Sequence, residues 1–284
     1  MKILVFGATG MLGNAIFRFL SNDQNFDVCG TVRNENAFSY FSDEQSNRLI
    51  AGVDVENNDS VIRAFALAKP EVVINCVGLV KQHADTSNPL QAIPINTLFP
   101  HRLASLCQAI RARLVHISTD CVFSGASGNY IETEFPDAYD LYGRSKLLGE
   151  VNYPHSITLR TSIIGHELSG QRSLVSWFLA QENSTKGFTR AIFSGLPTVE
   201  LAQVVRDEVL TRPELQGLYH LAAKPINKYD LLNLVATAYE KDIKIIPDES
   251  LVIDRSLNAE RFKEATGYLV PEWPELVQRM CEFK

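Results

Sequence analysis

At 284 residues the chain has room for one large domain or two that share a core, and 45% hydrophobic with 21% charged residues is the make-up of an ordinary globular protein. A formal charge of -6 argues against a general nucleic-acid binder, so a small anionic ligand must be met by local donors: helix N-termini and a few arginines. No apolar run approaches the roughly 20 residues that span a bilayer, which argues against a membrane protein.

The first expected element is an apolar strand over residues 2–6, Ile3-Leu4-Val5-Phe6, which starts the chain in the core with no room for a secretory leader. Gly7-Ala8-Thr9-Gly10-Met11-Leu12-Gly13 follows and opens an amphipathic helix over 11–22. Backbone amides must approach a phosphate closely, and a Cβ blocks them, so glycines between a strand and a helix suit a dinucleotide pyrophosphate. The Gly-x-x-Gly-x-x-Gly spacing is one residue longer than the commonest fingerprint. An ordinary tight turn would share the glycines but needs no such context. Gly7, Thr9, Gly10, Met11, Leu12 and Gly13 are therefore the expected cofactor cradle.

The second strand, 27–32, carries no acid at its tip and runs into Arg33. An acid there would hold a ribose hydroxyl, whereas an arginine accommodates a 2′-phosphate; the expected cofactor is NADPH, with NADH admitted because Glu35 stands nearby. After a third strand over 48–53, Asp54 and Val55 either bracket an adenine or mark the start of the helix at 57–67. A fourth strand, 72–77, leads through Cys76 and Val77 to Gly78, where the chain would pass beneath ribose and nicotinamide.

A helix is expected over 89–111, then a strand over 113–118 that ends in Ser118-Thr119-Asp120. The next helix, 139–152, places Tyr142 and Lys146 one turn apart on one face. A phenol with a reference pKa near 10 is a poor acid–base group at neutral pH. A neighbouring ammonium and an oxidised nicotinamide favour the phenolate and are expected to lower that value. A hydroxyl, a phenol and an ammonium beside a dinucleotide site describe a ketone reductase.

A strand at 157–162 completes the regular half. Beyond residue 165 come a helix near 173–182, a strand near 190–194, a helix near 198–211, a strand at 218–221 and a helix at 228–239. Pro247, Pro271 and Pro274 then punctuate short elements. Apolar strands alternating with helices predict an α/β fold, a doubly wound parallel sheet of Rossmann type with right-handed crossovers. Residues 1–165 form its cofactor-binding domain, with a return near 190–222, and 166–284 mainly a smaller C-terminal substrate-binding lobe.

Five cysteines, odd in number and without a CxxC pair, read as reduced residues of a cytoplasmic protein. The six histidines, His83 among them, show no metal-ligand spacing, and no metal is expected.

Taken in order, these residues resemble the extended short-chain dehydrogenase/reductases, and within them the dTDP-4-dehydrorhamnose reductase family, over essentially the whole chain. The stretches that carry the likeness are Ser118 to Gly125, Tyr142 to Glu150, Leu159-Arg160-Thr161-Ser162, Gly195-Leu196-Pro197-Thr198 and Asp254-Arg255-Ser256-Leu257-Asn258. The resemblance implies Thr119 as the hydroxyl that orients the substrate carbonyl, Tyr142 as the acid, and Lys146 as its tuner and ribose anchor. It also implies Asn96 near the substrate and Arg255 in a sugar-nucleotide loop, and it leaves room for a homodimer. Two places depart from the family: Cys121 replaces an aromatic residue, and Ile163-Ile164-Gly165-His166-Glu167 replaces a tryptophan-bearing segment. The implied substrate is a nucleotide-linked 4-keto-6-deoxyhexose, not necessarily the rhamnose precursor. An epimerase or dehydratase of the superfamily, and a non-catalytic subunit such as the regulatory subunit of methionine adenosyltransferase, are the alternatives.

Overall fold

A computed structural model describes residues 1–79 and 88–283; His83 lies outside them. The first six strands are β1 (Lys2–Phe6), β2 (Asp27–Thr31), β3 (Leu49–Ile50), β4 (Val72–Asn75), β5 (Arg113–Thr119) and β6 (Ser156–Thr161). The short strands β7 (Ile163–Ile164), β8 (Ser184–Phe188), β9 (Ala191–Phe193) and β10 (Leu196–Pro197) precede β11 (Gly217–His220); β12 (Ile226–Asn227), β13 (Lys244–Asp248) and β14 (Ile253–Asp254) follow it. The central sheet has seven parallel strands in the order β3-β2-β1-β4-β5-β6-β11. The order reverses between β1 and β4, and the crevice outside their carboxyl ends is where such sheets bind ligands.

Side-chain alternation explains why both faces are covered. Ile3 and Val5 of β1 join the layer that holds Leu12, Ile16, Phe17 and Leu20 of the Met11–Ser21 helix. Leu4 and Phe6 point the other way, onto Val61, Ala64 and Phe65 of the Asn58–Ala68 helix and Phe99 and Leu103 of the Phe99–Ile110 helix. Each such side chain, fully buried, contributes about 1.5–3 kcal/mol. The expected doubly wound sheet is the observed fold.

Three local departures have physical causes. The third strand pairs only at Leu49–Ile50, because Gly52 takes a positive φ of 69° and turns the chain away. The long helix expected over 89–111 is broken into Pro89–Ala92, a wide π turn over Ile93–Leu98, and Phe99–Ile110. Pro94 and Pro100 each lack the N–H that an unbroken α-helix would need. The closing helix Trp273–Glu282 was hidden by its prolines, yet Pro274 sits in its first turn, where a missing N–H costs nothing. Trp273, Leu276, Val277 and Met280 bury one face of it.

No helix among the described residues is long and apolar enough to cross a membrane. No disulfide joins the cysteines.

Candidate active site

The glycine loop hangs from β1 by two bonds to β2: the Gly7 N–H donates to Thr31 Oγ1 at 3.2 Å and the Ala8 N–H to Thr31 O at 3.1 Å. Gly7 has a φ of 87°, and the Gly10 N–H donates back to Gly7 O at 2.9 Å. A Cβ on Gly13 would collide with that same Gly7 carbonyl, so the third glycine lets the helix start against the loop. The Met11–Ser21 helix has no side-chain cap and no acid in its first turn. Its first amides are left for an external anion, which is the fit a dinucleotide pyrophosphate requires.

The catalytic candidates come from the ends of β5 and the helix Leu141–Leu148. Thr119 closes β5 and caps a tight turn over Asp120–Val122: its hydroxyl accepts from the Cys121 N–H and donates to Asp120 Oδ1, each at 3.1 Å. The helix begins at Asp140, whose carboxylate accepts from the Gly143 N–H at 2.8 Å. Gly143 matters for reach, because a Cβ there would strike the Cys121 carbonyl and push the helix off the turn. With hydrogen in that place, the Tyr142 phenol meets the Thr119 hydroxyl.

Lys146 is 5% exposed and its ammonium donates to Ile117 O at 2.8 Å, behind the phenol. Burial pulls it down to about 8, against the opposing pull of Glu150 and Cys76. Gly78 faces the same ammonium, which brings the end of the β4 strand to the catalytic helix. The thiol of Cys76 is pushed up to about 12 by burial and is not a nucleophile here.

The expected lowering of the phenol is not found. Burial pushes Tyr142 above its ordinary value, Cys121, Asp120 and Asp140 push the same way, and the Thr119 hydroxyl opposes them. The Lys146 ammonium is tied to the Ile117 carbonyl. The result is a protonated tyrosine, which is the state a general acid must hold before it acts.

Asn96 also differs from expectation. Its buried amide accepts from the Leu79 N–H at 2.9 Å and donates to Ser145 Oγ at 3.1 Å, and it does not line the cavity. It braces the Cys76–Leu79 segment against the catalytic helix. Pro100 leaves the Asn96 carbonyl without its usual helical donor, and Gly149 packs directly over that oxygen. Asp54 is exposed and accepts from the Glu56 N–H at 3.0 Å, while Val55 is a core residue; neither lines the cavity. Arg33 stands exposed just beyond the end of β2.

A cavity of about 460 Å³ joins these parts, within the range of small-ligand sites. Gly10, Met11 and Leu12 line it together with Thr119, Tyr142 and Lys146, and so do Lys228 and Arg255, which both interact with Asp120. Asp120 and Lys228 were missed as site residues in the sequence. Asp120 had a signal, since it follows Thr119 directly; Lys228 had none. The described residues hold no group of histidine, cysteine, aspartate and glutamate that would bind a metal ion.

The chain matches the RmlD substrate binding domain family over residues 1–282. It is 30% identical over 258 residues to methionine adenosyltransferase 2 subunit beta of Danio rerio, covering 84% of this chain and 74% of that one. It is 26% identical over 305 residues to dTDP-4-dehydrorhamnose reductase of Salmonella typhimurium, covering 99% and 97%. The crystal structure of dTDP-4-dehydrorhamnose reductase from Bacillus anthracis in complex with NADP superposes with a TM-score of 0.80 at 21% identity, covering 98% and 97%.

Proposed function

The chain belongs to the RmlD substrate binding domain family, and from that premise we propose that it is an NADPH-dependent reductase of a nucleotide-linked 4-keto-6-deoxyhexose, acting in the cytoplasm. The observation that carries the reading is the line Lys146–Tyr142–Thr119 along one cavity, with an uncapped glycine-rich helix start at its near end. The Bacillus anthracis relative holds NADP, and the glycine cradle described above fits the same pyrophosphate.

The amides from Gly7 to Gly13, with Thr9, Gly10, Met11 and Leu12, hold the cofactor phosphates. Cys76, Val77 and Gly78 line the cavity where its ribose would lie, and Lys146 would hold the ribose hydroxyls. The bound dihydronicotinamide supplies the hydride to C4 of the sugar. Tyr142 gives its proton to the carbonyl oxygen, and the Thr119 hydroxyl fixes that oxygen during the transfer. The test is NADPH oxidation, followed optically, across 4-keto-deoxysugars linked to different nucleotides. Absence of turnover with all of them defeats the reductase reading.

Similarity to methionine adenosyltransferase 2 subunit beta favours one second reading, a non-catalytic subunit. The same assay separates the two, because a pure scaffold oxidises no NADPH.

Two expected results arise here. Arg33→Ala should weaken NADPH by a charge-assisted hydrogen bond, about 1.5–3 kcal/mol, while NADH binding barely moves. Titration of both cofactors by fluorescence checks this; equal losses would leave Arg33 a structural role. The second concerns pH. Lys146 is a cation only below its folded value of about 8, so kcat/KM should fall as pH rises through that value. In Lys146→Arg, which keeps its charge, that alkaline limb should disappear. A limb unchanged in the arginine variant would assign it to another group.

A further inference from the structure

The cavity wall carries charge that hydride transfer does not use. Lys228, Arg255 and Asp120 line it together. Lys228 is the first residue of the Lys228–Ala238 helix, where the positive end of the helix dipole disfavours a cation. The capping role is already filled, since Asn227 Oδ1 accepts from the Asp230 N–H at 2.8 Å. The ammonium is half-buried in the cavity wall, where burial lowers it from its ordinary value, Asp120 favours its charge and Arg255 opposes it. Among the described residues it makes no hydrogen bond or ion pair.

Arg255 is held firmly beside it. Its Nε donates to Phe123 O at 2.8 Å, which fixes the guanidinium plane. The loop is clasped to the segment after β5: the Asp254 N–H donates to Gly125 O, the Tyr130 N–H to Ser256 O, and the Asn129 N–H to Ser256 Oγ. Asp120, the one carboxylate among the described residues that line the cavity, already accepts from the Thr119 hydroxyl. Two cations and a helix start thus line the cavity beside Asp120, with Asp137 also within the field of Arg255, in a chain whose net charge is -6. A solvated lysine would point outward; this one is placed against its helix, against a like charge, and into a cavity.

We propose that Lys228 joins Arg255 in a two-cation cradle for the diphosphate of the nucleotide-linked substrate. The inference rests on the sugar-nucleotide reading above. Arg255 offers a planar fork to two phosphate oxygens, and Lys228 a compact charge on a flexible stem that follows the second phosphate. Both cations interact with Asp120, which accepts from Thr119, so a diphosphate held there leaves the attached sugar within reach of Thr119 and Tyr142.

The experiment is calorimetric binding of thymidine 5′-diphosphate, uridine 5′-diphosphate and the two free nucleosides to the NADP-loaded protein, its Lys228→Met variant and its Lys228→Arg variant. In the methionine variant the tighter diphosphate should bind at least about tenfold more weakly, with nucleoside and NADP binding unchanged. The arginine variant should recover most of the loss. Diphosphate affinity should also fall less steeply with salt in the methionine variant than in the wild type. Wild-type binding by Lys228→Met overturns the cradle, and so does an equal loss of NADP, which would mark a structural lysine. A wild type that binds neither diphosphate yet reduces a free keto-sugar removes the cradle and keeps the hydride chemistry. A wild type that binds a diphosphate through Lys228 but oxidises NADPH with no sugar nucleotide keeps the cradle and removes the reductase reading.

Discussion

Tyr142→Phe should lower kcat by at least about 10², with NADPH affinity little changed. The substitution removes one oxygen and keeps the ring, so the packing of the Leu141–Leu148 helix against the turn after β5 survives. What is lost is the phenolic proton beside the Thr119 hydroxyl. Burial keeps that proton on the oxygen until negative charge develops on the substrate carbonyl. A phenol so held costs nothing to protonate at neutral pH, and the reaction needs it protonated at the start. Steady-state rates with the sugar nucleotide and direct NADPH titration separate the two effects. Turnover near that of the wild type would take Tyr142 out of the mechanism, and a parallel loss of NADPH affinity would show that the hydroxyl holds cofactor instead.

Features confined to one element, or to two joined by a short turn, were legible in the sequence. The glycine spacing, the apolar strand before it and the four-residue step from Tyr142 to Lys146 are all local, and local geometry converts them into a cradle and a shared helix face. The alternation of Ile3, Leu4, Val5 and Phe6 between two covered faces did not tell by itself that both were covered, but the continuous apolar run did. What depends on distant residues was not legible. Whether the phenol rises or falls is set by how much protein surrounds it and by where Lys146 is tied, and the partner of Lys146 is a carbonyl 29 residues away. Asn96 looked like a substrate contact because it stands near the site in the family; only packing shows that both ends of its amide are spent on Leu79 and Ser145. Lys228 carries no motif at all. It reaches the cavity because β12 delivers the helix start there, a consequence of topology that no local pattern records.

The same long-range logic identifies a costly position to alter in the support of the site. Arg160 on β6 is 3% exposed and grips Glu150 with two bonds, Nε to Oε1 at 2.7 Å and Nη2 to Oε2 at 2.8 Å. Glu150 Oε1 also accepts from Ser118 Oγ at 2.7 Å, one residue before Thr119, and the carboxylate favours the charged form of Lys146. On the other side Arg160 donates to His220 Nε2 at 3.3 Å, while His220 Nδ1 donates to Tyr130 O at 3.0 Å. The guanidinium also lies 5.2 Å from the centre of the Phe123 ring, which stacks on Tyr130. Such a pair adds little net stability over a well-packed apolar replacement, because both charges lose their hydration. Removing one partner is different: Arg160→Met takes from a largely buried carboxylate the guanidinium that pairs with it and should destabilise the fold by about 3–5 kcal/mol. In urea unfolding this appears as a lower midpoint with an unchanged slope. Arg160→Met combined with Glu150→Leu, which removes both charges, should recover most of the loss. The recovered protein should still turn over more slowly than the wild type, because Ser118 and Lys146 have lost the carboxylate that tied them to β6. A double variant as unstable as the single one would place the cost in lost packing around Phe123 rather than in the charge of Glu150 left without its guanidinium.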